Sequence, residues 1–470
     1  MFRTFSYIRT WVLLALVAVT SACNDGFLEI VPEEVIDESE FVKTPEDLQQ
    51  VLNSSYDALR SGNFMGGQAW VLADLMADHY DATTVSLNGD WAAHYTRTTD
   101  IFLGTTRSIM NDGYKVVARA NFALGEMETV EGLSADEATR VTAEAKFLRG
   151  VALFELVRIF AHPYGYTADN SHLGLPIRTE FGRDLVGRSS VKECYDQILA
   201  DLMDAAADLP TFNNGYATSW AAKAYLAKVY FQMNDFANAE MYASDVIENG
   251  PFELDADLKA RFSFRGTTES IFELVSTDLA LDNSGGYLRG NFLPNPANNN
   301  VPNITLDRTI ASKATTDPLD QRGFAWYDAN TGGARDIFML TKFPTDSAAQ
   351  VPIAHLTEMM LIRGESAAEL GDVTTAEADL NAIRTRAGLT AYDGAVVAEL
   401  LINAIRVERE LELVGEGNRM HELKRQAANG DASLKIRGAI WTCPGLVAQI
   451  PDTELQGNGD MIPNEEGGCN

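Results

Sequence analysis

The chain has 470 residues, 46% hydrophobic and 22% charged, an ordinary globular composition that excludes the fibrous and disordered classes. Its 37 basic residues against 67 acidic ones give a formal charge of −30, which repels phosphate backbones and anionic head groups, so nucleic acid is a poor partner and a neutral or cationic ligand is favoured. Four cysteines in so long a chain exclude a disulfide scaffold, and the length calls for two or three domains or one extended repeat array.

Arg3 and Arg9, an apolar run from Trp11 to Val19, and the small residues Thr20, Ser21 and Ala22 are the parts of an export signal. The run is about half of the roughly 20 apolar residues that a spanning helix needs, which argues against a transmembrane anchor. Small residues directly before Cys23 resemble the lipobox of bacterial lipoproteins, although Thr20 stands where an aliphatic residue is commoner. The resemblance implies a signal peptide over residues 1–22, lipidation of Cys23 and attachment to a membrane through acyl chains alone. A soluble secreted protein cut at Ala22 is the alternative.

Downstream, helices dominate. Thr44, Pro45 and Asp47 open a helix whose Leu48, Val51, Leu52, Tyr56 and Leu59 mark one buried face. Ser134 with Glu137, Ser190 with Glu193, and Thr374 with Glu377 have capping-box spacing, each at a helix start. Gly, Asn and Pro cluster in Asn283–Gly286 and Leu293–Asn303, so residues 250–350 are expected as a loop-rich segment with short strands between helical parts at 23–249 and 351–470, all in one compact unit. Leu226, Ala227, Tyr230, Ala239, Val246 and Pro251 fall at the offsets of a tetratricopeptide repeat that turns at Asn234 and Asp235. A copy displaced by 137 residues places Gly364, Ala367, Ala376, Leu380 and Ile383 at the same offsets, turning at Gly371 and Asp372. Two unrelated helical hairpins are the alternative.

Glu144, Ala145, Lys146, Phe147, Leu148 and Arg149, then Phe154–Arg158 and Gly174, Leu175, Pro176, resemble the central signature of the SusD/RagB family of nutrient-uptake lipoproteins. Other blocks agree in order: Phe27, Leu28, Glu29; Tyr56–Arg60; Asp201 with Leu202; Asp320 with Arg322; the charged run Glu408, Arg409, Leu411, Glu412, Leu413, Glu416, Gly417, Arg419, Leu423, Arg425; and Ile450, Pro451, Glu454. Gly415, Met420, His421 and the stretch Pro463–Cys469 depart from the family pattern. The resemblance implies a mainly α fold, tetratricopeptide-like hairpins in an α-α superhelix with an irregular loop-rich region and short strands. It further implies a lipoprotein facing the extracellular side of a Bacteroidota outer membrane, in loose accord with Asn24 and Asp25 after Cys23. Such a protein captures glycan, or in some cases peptide, for a SusC-like TonB-dependent transporter. Binding and not chemistry is then the expected activity. A helical-repeat scaffold for a protein or peptide partner is the alternative, and a surface glycan hydrolase a distant third.

Glu408, Glu412 and Glu416 recur every fourth residue, with Arg406 and Arg409 nearby, and structural ion pairing accounts for them. A glycosidase also uses two carboxylates, but across a sugar cleft. His79, His94, His162, His172, His355 and His421 form no metal-spaced motif, so no cofactor or metal is expected, with a structural calcium left open. Cys194 is expected to be a buried small hydrophobe, and Cys443 with Cys469 to form a disulfide in an oxidising compartment. Sugar capture calls for flat aromatic faces flanked by amides and carboxylates. Trp91, on an expected loop with Tyr95, ranks first as a ligand-binding residue, followed by Trp326, Tyr327, Tyr95 and Trp70, while Trp220 is assigned to the core.

Overall fold

The computed structural model describes residues 42–81, 89–98, 100–262, 267–275, 286–292, 302–330, 336–343 and 351–469. Cys23 and the export segment lie outside them. The first half carries α1 (Pro45–Leu59), α2 (Gln68–Met76), α3 (Asp90–Thr96), α4 (Gly104–Glu126), α5 (Ala135–Phe160), α6 (Val191–Asp208), α7 (Ser219–Gln232) and α8 (Phe236–Asn249). The second half adds the short α9 (Gly286–Phe292), α10 (Arg308–Thr316) and α11 (Arg322–Ala325), then α12 (Leu356–Leu370), α13 (Val373–Arg386), α14 (Ala398–Glu412), α15 (Arg419–Ala428) and α16 (Asp452–Gly457). No helix among the described residues is long and apolar enough to cross a membrane.

Capping residues set the helix starts. Thr44, Ser134 and Ser190 each accept from the third backbone N–H of their helix while the acidic residue there reaches back, so the expected capping boxes form at α1, α5 and α6. The box at Thr374 and Glu377 does not. Asp372 caps α13 by accepting from the N–H groups of Thr374 and Thr375 at 3.1 and 3.2 Å, because the chain re-enters helix at Val373, before Thr374 can serve as cap. The two repeat copies are both helical hairpins, α7–α8 and α12–α13. Their turns match: Asn234 at φ 60° and Gly371 at φ 90° reverse the chain in the left-handed region, and Asp235 and Asp372 cap the helices that follow.

Helices α1, α4, α5, α6, α7 and α8 each pack on the next, and α8 packs on α12, which also holds α13 and α14. This is the mainly α, repeat-built superhelix. Between its halves the described part of the chain forms short strands. β1 (Tyr80–Asp81), β3 (Thr305–Leu306), β5 (Ile337–Leu340) and β4 (Tyr327–Asn330) make an antiparallel sheet in the order β1-β3-β5-β4, and β2 (Ser270–Leu274) pairs with β6 (Val351–His355). A small hairpin, β7 (Lys435–Ile436) with β8 (Ala439–Ile440), follows α15.

Residues of separate sequence blocks meet in space. Arg149 on α5 clasps Asp201 on α6 through bonds of 2.8 and 2.6 Å, and Lys146 reaches Asp204 at 2.6 Å. Asp320 and Arg322 face the α14 carboxylates: Arg322 holds Asp320 at 2.8 Å, Glu408 at 2.7 Å and Glu412 at 3.1 Å. Arg261 extends the network to Glu269 at 3.1 Å, Glu412 at 3.4 Å and Glu416 at 3.3 Å, and Arg386 closes it on Glu269 and Glu412. Glu416 also binds Lys342 and accepts from His355 at 2.9 Å. All of these groups are buried except the Lys146–Asp204 pair, which lies at the surface. Burial would raise the carboxyl of Glu412, but Arg386, Arg322 and Arg261 more than offset it and hold the group down at about 2. Glu416 is likewise held well below the carboxylate range, its burial outweighed chiefly by Lys342 and His355.

Cys443 and Cys469, 26 residues apart, are joined by a disulfide. The loop it closes lies along the end of α5, where Asn464 donates to the carbonyls of Phe160 and Ala448 at 2.9 and 2.7 Å.

Three outcomes follow from this packing. Glu412→Ala leaves Arg322 and Arg386 short of a buried partner and is expected to cost about 3–5 kcal/mol in denaturant unfolding. Because the folded carboxyl of Glu412 sits at about 2 against an ordinary 4.5, its contribution is complete above about pH 4.5 and is lost as pH falls toward 2; Glu412→Gln is expected to flatten that acid limb. Reducing the disulfide is expected to lower stability by about 3 kcal/mol, from the entropy of the reopened loop.

Candidate functional site

The aromatic residues singled out in the sequence do not share one surface. Trp326 is 0% exposed, Tyr327 5% and Trp70 6%, so none of the three is displayed to a ligand. Trp326 lids the ion network, with Lys342 Nζ 4.5 Å from its ring centroid and Arg261 Cζ 5.9 Å. Tyr327 opens β4 opposite Leu340 of β5, and its hydroxyl donates to the Leu411 carbonyl at 3.3 Å. Trp70 lies against Gly417, where an added Cβ would come within 2.6 Å of the Trp70 Cα. Burial between packed segments corrects the assignment of all three.

Trp91 and Tyr95 are together, one turn apart on α3, and both are half-buried. Trp91 stands in the first turn of that helix and not on a loop, its ring edge-on to His94 at 6.1 Å. Asp90 anchors the turn by accepting from the N–H and hydroxyl of Thr105 at 2.8 and 2.9 Å. His94 is buried, which lowers it to about 4 and keeps it neutral. The Arg437 guanidinium covers the Tyr95 ring at 4.0 Å, leaving Trp91 as the freer of the two.

A cleft with a volume of about 420 Å³ opens elsewhere, where α1, β2 and the turn before α7 meet. Asn53, Tyr56, Asp57 and Arg60 fall three and four residues apart on the last turns of α1, so one helical face presents them together. Phe272, Glu273 and Leu274 come from β2, and Asn214, Gly215 and Tyr216 from the turn. The Tyr56 ring stands 5.2 Å from Tyr216 and 6.3 Å from Phe272, tilted by 50° and 60°. Its hydroxyl donates to Glu144 Oε2 at 3.2 Å and accepts from the Ala217 N–H at 3.0 Å. Glu144 Oε1 in turn accepts from Asn213 Nδ2 at 2.9 Å, so one buried carboxylate orients both the ring and the turn that bears Tyr216. Burial and the Glu144 charge push the Tyr56 hydroxyl well above its ordinary range, which keeps it a neutral donor. Arg60 is engaged by Asp57 at 2.9 Å and by the Val275 carbonyl at 3.0 Å. Burial raises the Glu273 carboxyl.

This arrangement has the chemistry that recognises a sugar: ring faces for the apolar side of a pyranose, with amide and carboxylate groups at its edge for hydroxyls. A second groove, of about 360 Å³ by Ser189, Glu193 and Asp196, is lined by no aromatic ring. Tyr216 follows Asn213, Asn214 and Gly215, a turn signal like the Asn88, Gly89 and Asp90 that precede Trp91 in the sequence, and was the findable member of the cleft. Phe272 and Glu273 lie in a strand with no comparable signal.

The catalytic reading of Glu408, Glu412 and Glu416 fails on position: all three are buried in the ion network and none can touch a sugar. Among the described residues no group of three or more His, Cys, Asp or Glu is placed to hold a metal ion.

Residues 26–231 match a family described as "Starch-binding associating with outer membrane", and residues 328–461 match the SusD family. SusD-like protein P2 of Formosa agariphila is 23% identical, over 98% of this chain and 99% of that protein. The crystal structure of a SusD superfamily protein from Bacteroides vulgatus superposes with a TM-score of 0.78 at 21% identity, covering 90% of this chain and 99% of the other. A SusD superfamily protein from Bacteroides thetaiotaomicron gives 0.77 at 25% identity, covering 90% and 100%. The two matched segments flank the loop-rich middle and take in the central and the charged signatures, and the chain belongs to the SusD/RagB family.

Proposed function

We propose that this protein is a glycan-binding lipoprotein, anchored through Cys23 at the outer face of the outer membrane, which captures oligosaccharide or polysaccharide in the Tyr56–Tyr216–Phe272 cleft and hands it to a SusC-like TonB-dependent transporter. One observation carries the reading: a cleft of about 420 Å³ with the Tyr56 and Tyr216 rings at its wall, the buried Phe272 packed against Tyr56, and Asn53, Asn214, Asp57 and Glu273 at its rim. The family description, starch-binding and outer-membrane-associated, supports glycan as the ligand class and the outer membrane as the place. The export segment and the lipobox-like residues before Cys23 support the anchor. The protein binds and does not cleave: the carboxylates of its charged signature are consumed by ion pairs, and Asp57 in the cleft is held by Arg60.

Trp91, on α3, stands as a separate contact outside the cleft lining. A screen of polysaccharides by calorimetry, with reducing ends assayed alongside, is expected to find affinity without product. Tyr216→Ala is expected to raise Kd about tenfold with an unchanged helical circular-dichroism spectrum, the loss expected of one stacked ring. Trp91→Ala is expected to cost about two- to threefold. A larger loss for Trp91→Ala than for Tyr216→Ala would move the site to α3, and released reducing ends would make the protein a hydrolase.

A further inference from the structure

The cleft is small for a polymer. Ligand sites run from roughly 300 to 1,000 Å³, and at about 420 Å³ this one encloses only a short stretch of a glycan chain, whose remaining units leave over the rim. Beside that rim stands a ring that the cleft lining does not include. Phe212 is 77% exposed, the most of any large hydrophobic side chain among the described residues, and it shares a loop with Tyr216. Phe324 is nearly as exposed, but it sits on α11, which contributes nothing to the cleft lining.

The loop is fastened before any ligand arrives. Its neck is closed by the Ser219 N–H donating to the Pro210 carbonyl at 3.0 Å, and its tip by the Tyr216 N–H donating to the Asn213 carbonyl at 2.9 Å, with Asn214 at φ 49° and Gly215 at φ 90° making the reversal. The Asn213 amide adds bonds to the Ala217 carbonyl at 2.8 Å and to Glu144 at 2.9 Å. A tip closed in this way keeps its end residues within about 7 Å, and one further step of about 3.8 Å puts the Phe212 Cα within about 11 Å of the Tyr216 Cα, a span that about two pyranose units cover. The backbone that carries Phe212 is thus already ordered, which lowers the entropy lost when the ring takes up a ligand. A phenyl face has no hydrogen-bonding group, and what it offers a sugar is stacking against the C–H side of a pyranose.

We propose that Phe212 is a rim subsite, a ring on which a glycan chain leaving the cleft past Tyr216 stacks, so that the protein grips a longer segment of chain than the cleft itself encloses. The proposal rests on the cleft being the glycan site and adds a second point of contact and a dependence on chain length.

The test is calorimetry of the full chain with the disaccharides and hexasaccharides of the malto-, laminari-, xylo- and manno- series, the weak short members measured by competition against the long ones. In a series that binds, the hexasaccharide is expected to bind more tightly than the disaccharide. Phe212→Ala is expected to weaken the hexasaccharide about three- to tenfold, the loss of one stacked ring, and to change the disaccharide less than about twofold. Phe212→Tyr, which keeps the ring face, is expected to retain the wild-type affinity, and Tyr216→Ala is expected to weaken both lengths. An advantage of length that persists in Phe212→Ala, an equal loss at both lengths, or no advantage of length in the wild type would overturn the rim subsite. A loss in Phe212→Tyr as large as in Phe212→Ala would overturn it likewise, and in each of these cases weakening by Tyr216→Ala would leave the cleft as the glycan site. Binding that survives Tyr216→Ala would overturn the cleft, and silence from every series would overturn glycan capture itself, each taking this inference with it.

Discussion

A charge removed from water has to meet an opposite charge, and this requirement organises the second half of the molecule. Arg261, Arg322, Lys342 and Arg386 on one side and Glu269, Glu408, Glu412 and Glu416 on the other are all buried, and they come from the loop-rich middle, the strands β2 and β5 with their flanks, and the helices α11, α13 and α14. Each of the three arginines has more than one carboxylate, Lys342 has Glu416 and the backbone carbonyls of Glu412 and Val414, and each carboxylate has at least one cation. Removing any member strands its partners in a low-dielectric interior, which is far costlier than loss of a surface pair. The network fastens an insertion of short strands to a frame of stacked helices through Glu269, the residue before β2, while Arg60 at the end of α1 holds the other end of that strand through the Val275 carbonyl.

That placement matters because the cleft is shared between frame and insertion. Tyr56 belongs to the first frame helix, Tyr216 to a turn between frame helices, and Phe272 to β2. Glu144, inside the central signature of α5, links them: it accepts from the Tyr56 hydroxyl and from Asn213, one turn position from the Tyr216 loop tip. A residue that the sequence presents as part of a helix signature is therefore also the support of a binding surface. The carboxylate is fully buried and triply bonded, so its geometry is fixed before any ligand arrives.

The helical hairpins, three of the four capping boxes, the repeat spacing of 137 residues and the family were legible in the sequence because they are local or periodic properties. Asp372 was hidden as a cap because the spacing of Thr374 and Glu377 points to a start two residues later; the helix begins at Val373, so Asp372 accepts from the Thr374 and Thr375 N–H groups and Thr374 lies inside the first turn. Trp326 and Tyr327 looked like displayed rings because they fall in the expected loop-rich segment; the strand pairing of β4 with β5 and the cations above the indole turn both inward. Trp70 was drawn in by the close approach that Gly417 allows, a contact across nearly 350 positions of sequence. The cleft was hidden for the same reason. Its three walls come from positions around 56, 216 and 273, and no local pattern reports that they converge.

The most direct measurement is a crystal structure of the protein with a bound oligosaccharide drawn from its tightest polysaccharide ligand. The account predicts a sugar ring seated against Tyr216 between α1 and β2, with hydroxyls donating to Asp57 or Glu273. Density for the oligosaccharide on α3, or anywhere that leaves the Tyr56–Tyr216–Phe272 cleft empty, would contradict it.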